Sequence, residues 1–164
     1  MKSLYVIRHA KSSWGDFTQP DFERPLNERG KRDAPVMAKR LIDAGVTIDR
    51  FISSPAKRAH KTCKLFCEVF NRAESDIKLI TELYHASSQM LYEVVSSISD
   101  KHNSAAVFCH NPGITDFVNS LDAEVRVDNM PTCSIVGVRI AVDSWKDFAT
   151  SKKEYLFFKY PKQV

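Results

Sequence analysis

Arg8 with His9, Arg58 and His110 combine the side-chain types that phosphoryl chemistry requires. A guanidinium is a planar fork of N–H donors that matches two phosphate oxygens at once and stays charged at any working pH. A neutral imidazole can attack phosphorus and carry the phosphoryl group covalently, splitting one hard step into two easier ones. His9 must be unprotonated for that role. Nearby guanidinium groups and helix N-termini disfavour the imidazolium and lower its pKa. His110 can donate to the equatorial oxygens, where charge is held in the transition state. Arg24 can reach the same phosphate from the long segment after His9, or it can pair with Asp21 or Glu23.

The elements needed to bring these residues together are legible in the pattern. Ser3 to Arg8 is a short apolar run that reads as a strand, followed by a polar stretch containing Gly15, Pro20 and Pro25. Asn27 suits an N-cap for a helix through Met37, Leu41 and Ile42 that stops at Gly45. Arg50 to Ser53 is a second strand, and Ser54 with Pro55 predicts an N-cap and first-turn proline. Leu65, Phe66, Val69 and Phe70 form the predicted apolar face of that helix. Ile77 to Ile80 is a third strand, Ser87 to Ile98 a helix, Ala105 to Cys109 a buried strand, and Pro112 opens a helix through Leu121. Ser134 to Val142 and Glu154 to Tyr160 alternate as two closing strands joined by a polar hairpin loop, Asp143 to Lys153. Alternating strands and helices predict a three-layer α/β/α sandwich with a mostly parallel sheet and antiparallel closing strands.

In such a sheet, ligands bind beyond the carboxyl ends of the strands. Arg8 and His9 follow the first strand, Ser53, Ser54 and Arg58 the second, and His110 with Asn111 the strand before Pro112. Two helix starts point N–H groups at the same edge, which favours an anion there.

Composition sets the bounds. The 164 residues suit one domain spanning 1–164, with 43% apolar residues for a core and no run long enough to cross a membrane. Met1 to Ile7 is too short for a signal peptide. The four cysteines, Cys63, Cys67, Cys109 and Cys133, are not spaced as a disulfide framework and read as buried thiols in a cytoplasmic protein. They and the five histidines show no zinc spacing, so neither metal nor cofactor is expected. The net charge of +4 is scattered rather than gathered in a stripe, which argues against nucleic acid as a partner. There is no Walker loop and no G-x-G-x-x-G. His60 and His102 read as a helix-face and a turn histidine, and His85 as a rim residue.

The segment Ile7-Arg8-His9-Ala10 resembles the Arg-His-Gly signature of the histidine phosphatase superfamily, with Ala10 in place of the usual glycine. Ser53-Ser54-Pro55-Ala56-Lys57-Arg58-Ala59 is similar to its second motif and Cys109-His110-Asn111-Pro112 to its third. The short length, the Arg24-Pro25-Leu26 element and the lack of a large insertion are most similar to the SixA-like phosphohistidine phosphatases. The resemblance implies a phosphoglycerate mutase-like fold, His9 as nucleophile, and Arg8, Arg58 and His110 as phosphoryl-binding groups. Related phosphatases and mutases often carry a proton-donating acid where Glu82 stands; an exposed carboxylate opening a loop is the other reading. The expectation is a cofactor-independent phosphatase for phosphohistidine on a protein, because no cap is inserted between Arg58 and His110. The alternatives are a phosphatase of small phosphate monoesters, and a phosphate- or phosphoprotein-binding module without turnover. The expected partner is a phosphorylated protein or small phosphorylated substrate, without nucleic acid or membrane, for a monomer or weak dimer.

Overall fold

A computed structural model describes residues 1–122, 124 and 126–163. Its strands are β1 (Lys2–Arg8), β2 (Arg50–Ser53), β3 (Ile77–Leu79), β4 (Ser104–Cys109), β5 (Ile135–Ile140) and β6 (Lys153–Lys159). Four α-helices alternate with them: α1 (Glu28–Asp43), α2 (Lys57–Val69), α3 (Ser88–Ser96) and α4 (Gly113–Leu121). The sheet order is β3-β2-β4-β1-β5-β6. The first four of these are mutually parallel, and β5 runs antiparallel to both β1 and β6.

Period-two alternation splits each central strand between two cores. From β1, Leu4 and Val6 face α3 and α4, while Tyr5 and Ile7 face α1 and α2. From β4, Ala105, Val107 and Cys109 join the first core, and Ala106 with Phe108 the second. Burial on both faces explains why β4 reads as a continuous apolar run rather than an alternating one.

Local signals set the helix starts. The Asn27 side chain accepts the Gly30 N–H at 2.9 Å and caps α1, and the Ser87 hydroxyl accepts the Met90 N–H at 3.1 Å to cap α3. All four cysteines are free and buried. No helix among the described residues is long and apolar enough to cross a membrane.

Three expectations need correction. Ser54 and Pro55 do not begin α2; the N-cap is Ala56, without a side-chain cap. Of the expected α2 stripe only Phe66 is buried. The covered face runs along Ala59, Cys63, Phe66 and Cys67, because α2 must pack on α1 as well as the sheet, leaving Leu65, Val69 and Phe70 at its margin. The connection between β5 and β6 is no simple polar hairpin. A short 3-10 turn there, Trp145–Asp147, drives Trp145 and Phe148 fully into the core against α3 and α4. Trp145 is pinned by its indole N–H to the His102 carbonyl at 2.8 Å.

Candidate active site

The strand register decides which residues can meet. Arg8 pairs with Cys109 and Ser53 with Phe108, so β1, β4 and β2 end at one level on three adjacent strands. The ladder continues one step further. The His9 N–H donates to the Cys109 carbonyl at 3.2 Å and the Ser54 N–H to the Phe108 carbonyl at 3.0 Å. His9, Ser54 and His110 are thereby delivered side by side, and Arg58 arrives in the first turn of α2. The Thr62 hydroxyl fixes that turn against the β1 loop, accepting the Ala10 N–H at 3.0 Å and donating to the Arg58 carbonyl at 2.7 Å.

His9 is 5% exposed, and its Nδ1 lies 2.8 Å from the Ala10 carbonyl. A carbonyl only accepts, so Nδ1 carries the proton and Nε2 of the neutral ring keeps its lone pair. The ring centroid is 5.1 Å from that of His110. Burial holds the His9 pKa well below its ordinary value, with His110, Arg8 and Arg58 lowering it further against the Ala10 hydrogen bond. The expected charge effect is therefore present but secondary to desolvation. His110 is pushed down to about 3, first by burial and then by Arg58. Its Nε2 lies 2.7 Å from the Ser54 hydroxyl, whose oxygen also accepts the Ala56 N–H at 3.2 Å. Ser54, expected as a helix cap, thus orients an imidazole instead.

Each arginine is held by one end. Arg8 Nη1 donates to the Met130 carbonyl at 2.8 Å. Arg58 donates from Nη1 to the Asp21 carbonyl at 2.7 Å and from Nη2 to the Asp21 carboxylate at 3.1 Å. Arg24 donates to Ser12 Oγ at 2.6 Å and to Asp21 Oδ1 at 3.2 Å, with its guanidinium 3.7 Å from the Trp14 ring centre. Arg24 thus pairs with Asp21, the second of its two expected uses, while also lining the cavity described next. Asp21 also accepts the Tyr84 hydroxyl at 2.6 Å, and that bond together with Arg58 and Arg24 lowers its pKa to about 2. Burial and Asp21 raise the Tyr84 pKa in turn.

Arg8, His9, Arg24, Arg58 and His110 converge on one cavity of about 170 Å³, completed by Lys11, Ser12, Trp14, Asn111 and Thr132. Among the described residues, four buried side-chain nitrogens or oxygens lack a hydrogen-bond partner: Arg8 Nε, Arg24 Nε, Arg58 Nε and His110 Nδ1. All four belong to residues lining this cavity. Three of the four are guanidinium N–H donors, and the cationic forks that carry them are the groups that recognise an oxyanion.

Glu82 is exposed on a short turn, Thr81–Leu83, and does not line the cavity. His85 is exposed beside Tyr84, their ring centres 3.9 Å apart, and Tyr84 in turn packs on His110, which places His85 at the rim. His60 pairs with Glu74 at 3.5 Å on the α2 surface. Tyr84, Trp14 and Thr132 had no sequence signal pointing to the site, and Asp21 reads in the sequence only as a partner for Arg24, since each arrives from a connection whose path no periodicity records.

The family model of the histidine phosphatase superfamily (branch 1) matches residues 4–85. An uncharacterized chloroplastic protein of Arabidopsis thaliana is 28% identical over 160 residues, covering 92% of this chain and 72% of its own. Among solved structures, the putative phosphohistidine phosphatase SixA from Agrobacterium tumefaciens shares the fold with a TM-score of 0.80 at 22% identity, covering 98% of both chains. The protein histidine phosphatase SixA complexed with tungstate aligns with a TM-score of 0.82 at 20% identity over 97% of both. A mycobacterial glucosyl-3-phosphoglycerate phosphatase aligns more loosely, with a TM-score of 0.64 at 13% identity, over 94% of this chain and 97% of its own. The matched half carries Arg8, His9 and Arg58, and the chain belongs to the histidine phosphatase superfamily, a phosphatase-class hydrolase.

Proposed function

We propose that this protein removes the phosphoryl group from phosphohistidine on a protein, with His9 as the covalent acceptor. The observation that carries the reading is the state of His9: a buried imidazole with Nδ1 bound to the Ala10 carbonyl and Nε2 free beside Arg8, Arg58 and His110. In the first step the Nε2 lone pair attacks phosphorus. The substrate's P–N bond breaks, and its imidazole nitrogen keeps the electron pair and takes a proton from solvent. Positive charge that develops on the His9 ring is stabilised at Nδ1–H by the Ala10 carbonyl. The guanidinium groups and the His110 ring hold the phosphoryl oxygens as charge spreads over them. In the second step water attacks phosphorus and the P–Nε2 bond breaks. Neutral His9 leaves, and the water's protons remain on the released phosphate or pass to solvent.

Two observations favour phosphohistidine over a phosphate ester. An alkoxide leaving group needs a proton far more than an imidazole does, and Glu82 stands outside the cavity. The chain between α2 and β4 is spent on β3 and α3 of the sandwich itself, which leaves room for a projecting side chain at the mouth.

Turnover with a radiolabelled phosphohistidine protein, quenched early, tests the reading. We expect an acid-labile, base-stable phosphoenzyme on His9 and no turnover by His9→Ala with the fold intact. Label on another residue, or near-normal activity in that variant, defeats the mechanism. A preference of more than about a hundredfold for small monoesters moves the substrate class to esters, since general-acid help is of that order.

A further inference from the structure

A second basic cavity, of about 390 Å³, adjoins the phosphoryl pocket and shares Arg8, Lys11 and Thr132 with it. Arg29 from the first turn of α1 and Lys162 from the segment after β6 complete its charged lining. Four cations thus face one space. Arg29 Nε meets Asp33 at 3.5 Å across the helix surface, while Lys11 and Lys162 form no ion pair among the described residues. Four like charges of which only Arg29 has an ion-pair partner favour binding of an anion from outside.

The walls are held by the fold. The Asn27 N–H donates to the Lys11 carbonyl at 3.0 Å, and the chain passes so close to α1 that a Cβ on Gly30 would fall 2.2 Å from that carbonyl oxygen. On the opposite wall, Arg40 donates to the Tyr160 carbonyl at 2.9 Å and the Pro161 carbonyl at 3.2 Å, fixing the tail that presents Lys162. A cleft between α1 and α2 also carries lysines, but Glu74 already pairs with His60 and Lys64 there, and it shares no lining residue with the phosphoryl pocket.

We propose that this adjoining cavity is a second anion subsite, binding the carboxylates of an acidic segment that flanks the phosphorylated side chain of a protein substrate. The substrate's identity rests on the phosphohistidine reading above; the chemistry of the subsite does not. Continuity with the phosphoryl pocket sets the geometry: a segment a few residues from the phosphohistidine lies over Arg29 and Lys162 while the phosphoryl group sits at His9. The attraction acts on binding and not on the chemical step.

The test uses R29E/K162E, whose two positions line the adjoining cavity but not the phosphoryl pocket. Two phosphohistidine peptides of equal length are compared, one flanked by Glu and Asp and the other by Gln and Asn. Wild type should show a KM about tenfold lower for the acidic peptide, the scale of two rim charge pairs. The double variant should lose that preference at unchanged kcat, with p-nitrophenyl phosphate turnover unaffected. A second arm needs no phosphohistidine: the unphosphorylated acidic peptide should inhibit p-nitrophenyl phosphate turnover by wild type, but not by the variant. Equal KM values with no inhibition overturn the subsite, as does a preference that survives the double variant. Inhibition by free succinate as strong as by the peptide overturns the protein-segment assignment in favour of a small acidic substrate. If wild type hydrolyses p-nitrophenyl phosphate but neither phosphopeptide, the phosphohistidine reading fails, and the inhibition arm alone decides the subsite.

Discussion

Keeping His110 neutral in the fold has a thermodynamic consequence that can be measured without any substrate. Its folded pKa is about 3 against an ordinary 6.5, and the side chain is buried with the residue 8% exposed. The unfolded chain therefore takes up a proton on this histidine between roughly pH 6.5 and 3, while the folded chain does not. Stability is unaffected above that window, falls as pH drops through 6.5, and levels off below the folded pKa. At pH 5 the unfolded state is favoured by about 1.5 pH units' worth of protonation, or about 2 kcal/mol. That is a substantial share of a typical total of about 5–15 kcal/mol. The perturbation is His110→Gln, which keeps a polar group near Ser54 and cannot titrate. Urea unfolding of both proteins at pH 7.5, 6 and 5 stays above the carboxylate range, so Asp21 does not enter. Wild type should lose about 2 kcal/mol more than the variant across this span, or about 4–8 °C in Tm for a domain of this size. His9, depressed in the same direction, adds its loss to both proteins and cancels in the difference. Parallel pH profiles would refute the reasoning, as would a His110 ring resonance that titrates near pH 6.

Three further outcomes are expected. Glu82→Gln should change turnover less than about tenfold on monoesters and on phosphohistidine, because the carboxylate is exposed outside the pocket; a loss of about 10²-fold or more on monoesters alone would restore its role as acid. Gly113→Ala places a Cβ 1.9 Å from the Ala86 carbonyl oxygen, and should destabilise by about 1–3 kcal/mol in denaturant melts as α4 is pushed from the turn before α3; unchanged stability would show that this contact yields freely. Activity should survive a strong chelator, since guanidinium groups meet the phosphoryl charge and no group of three or more His, Cys, Asp or Glu among the described residues could hold a metal ion; loss on chelation, restored by one divalent ion, would place the enzyme in another class.

The parts of the site legible in the sequence share one property: each stands within a few residues of a strand end or helix start. Hydrophobic runs fixed β1, β2 and β4, and the residue after each run was then bound to emerge at the carboxyl edge. Arg8, His9 and His110 reach the shared cavity for that reason, and Arg58 through the helix start that follows β2. The β5–β6 connection misled because its residues are mostly polar, yet two aromatic side chains, Trp145 and Phe148, outweigh them: burying a large aromatic is worth about 2 kcal/mol or more. Ser54 misled for a related reason. Ser-Pro before an apolar face is a helix-start signal, but the same hydroxyl is worth more against a buried imidazole, where an unpaired nitrogen is costly.

Asp21 shows where local reading ends. It lies 37 positions from Arg58 and 63 from Tyr84, so its role depends on the path of an irregular loop. That path is nevertheless determined. The Leu26 side chain is buried beside α1, Ser12 and Leu26 form a bridge, and the Ser13 N–H donates to the Pro25 carbonyl at 2.8 Å, so the two ends of the loop are clamped together. Between the clamps, Asp21 gains Arg24, Arg58 and Tyr84 at once. Its backbone carbonyl and its carboxylate together hold both Nη groups of Arg58, a residue that lines the pocket. A guanidinium tethered at one edge loses little further freedom when the other edge meets a phosphoryl group, which lowers the entropy cost of binding. The acid read in the sequence as a partner for Arg24 therefore also anchors Arg58 in the fold.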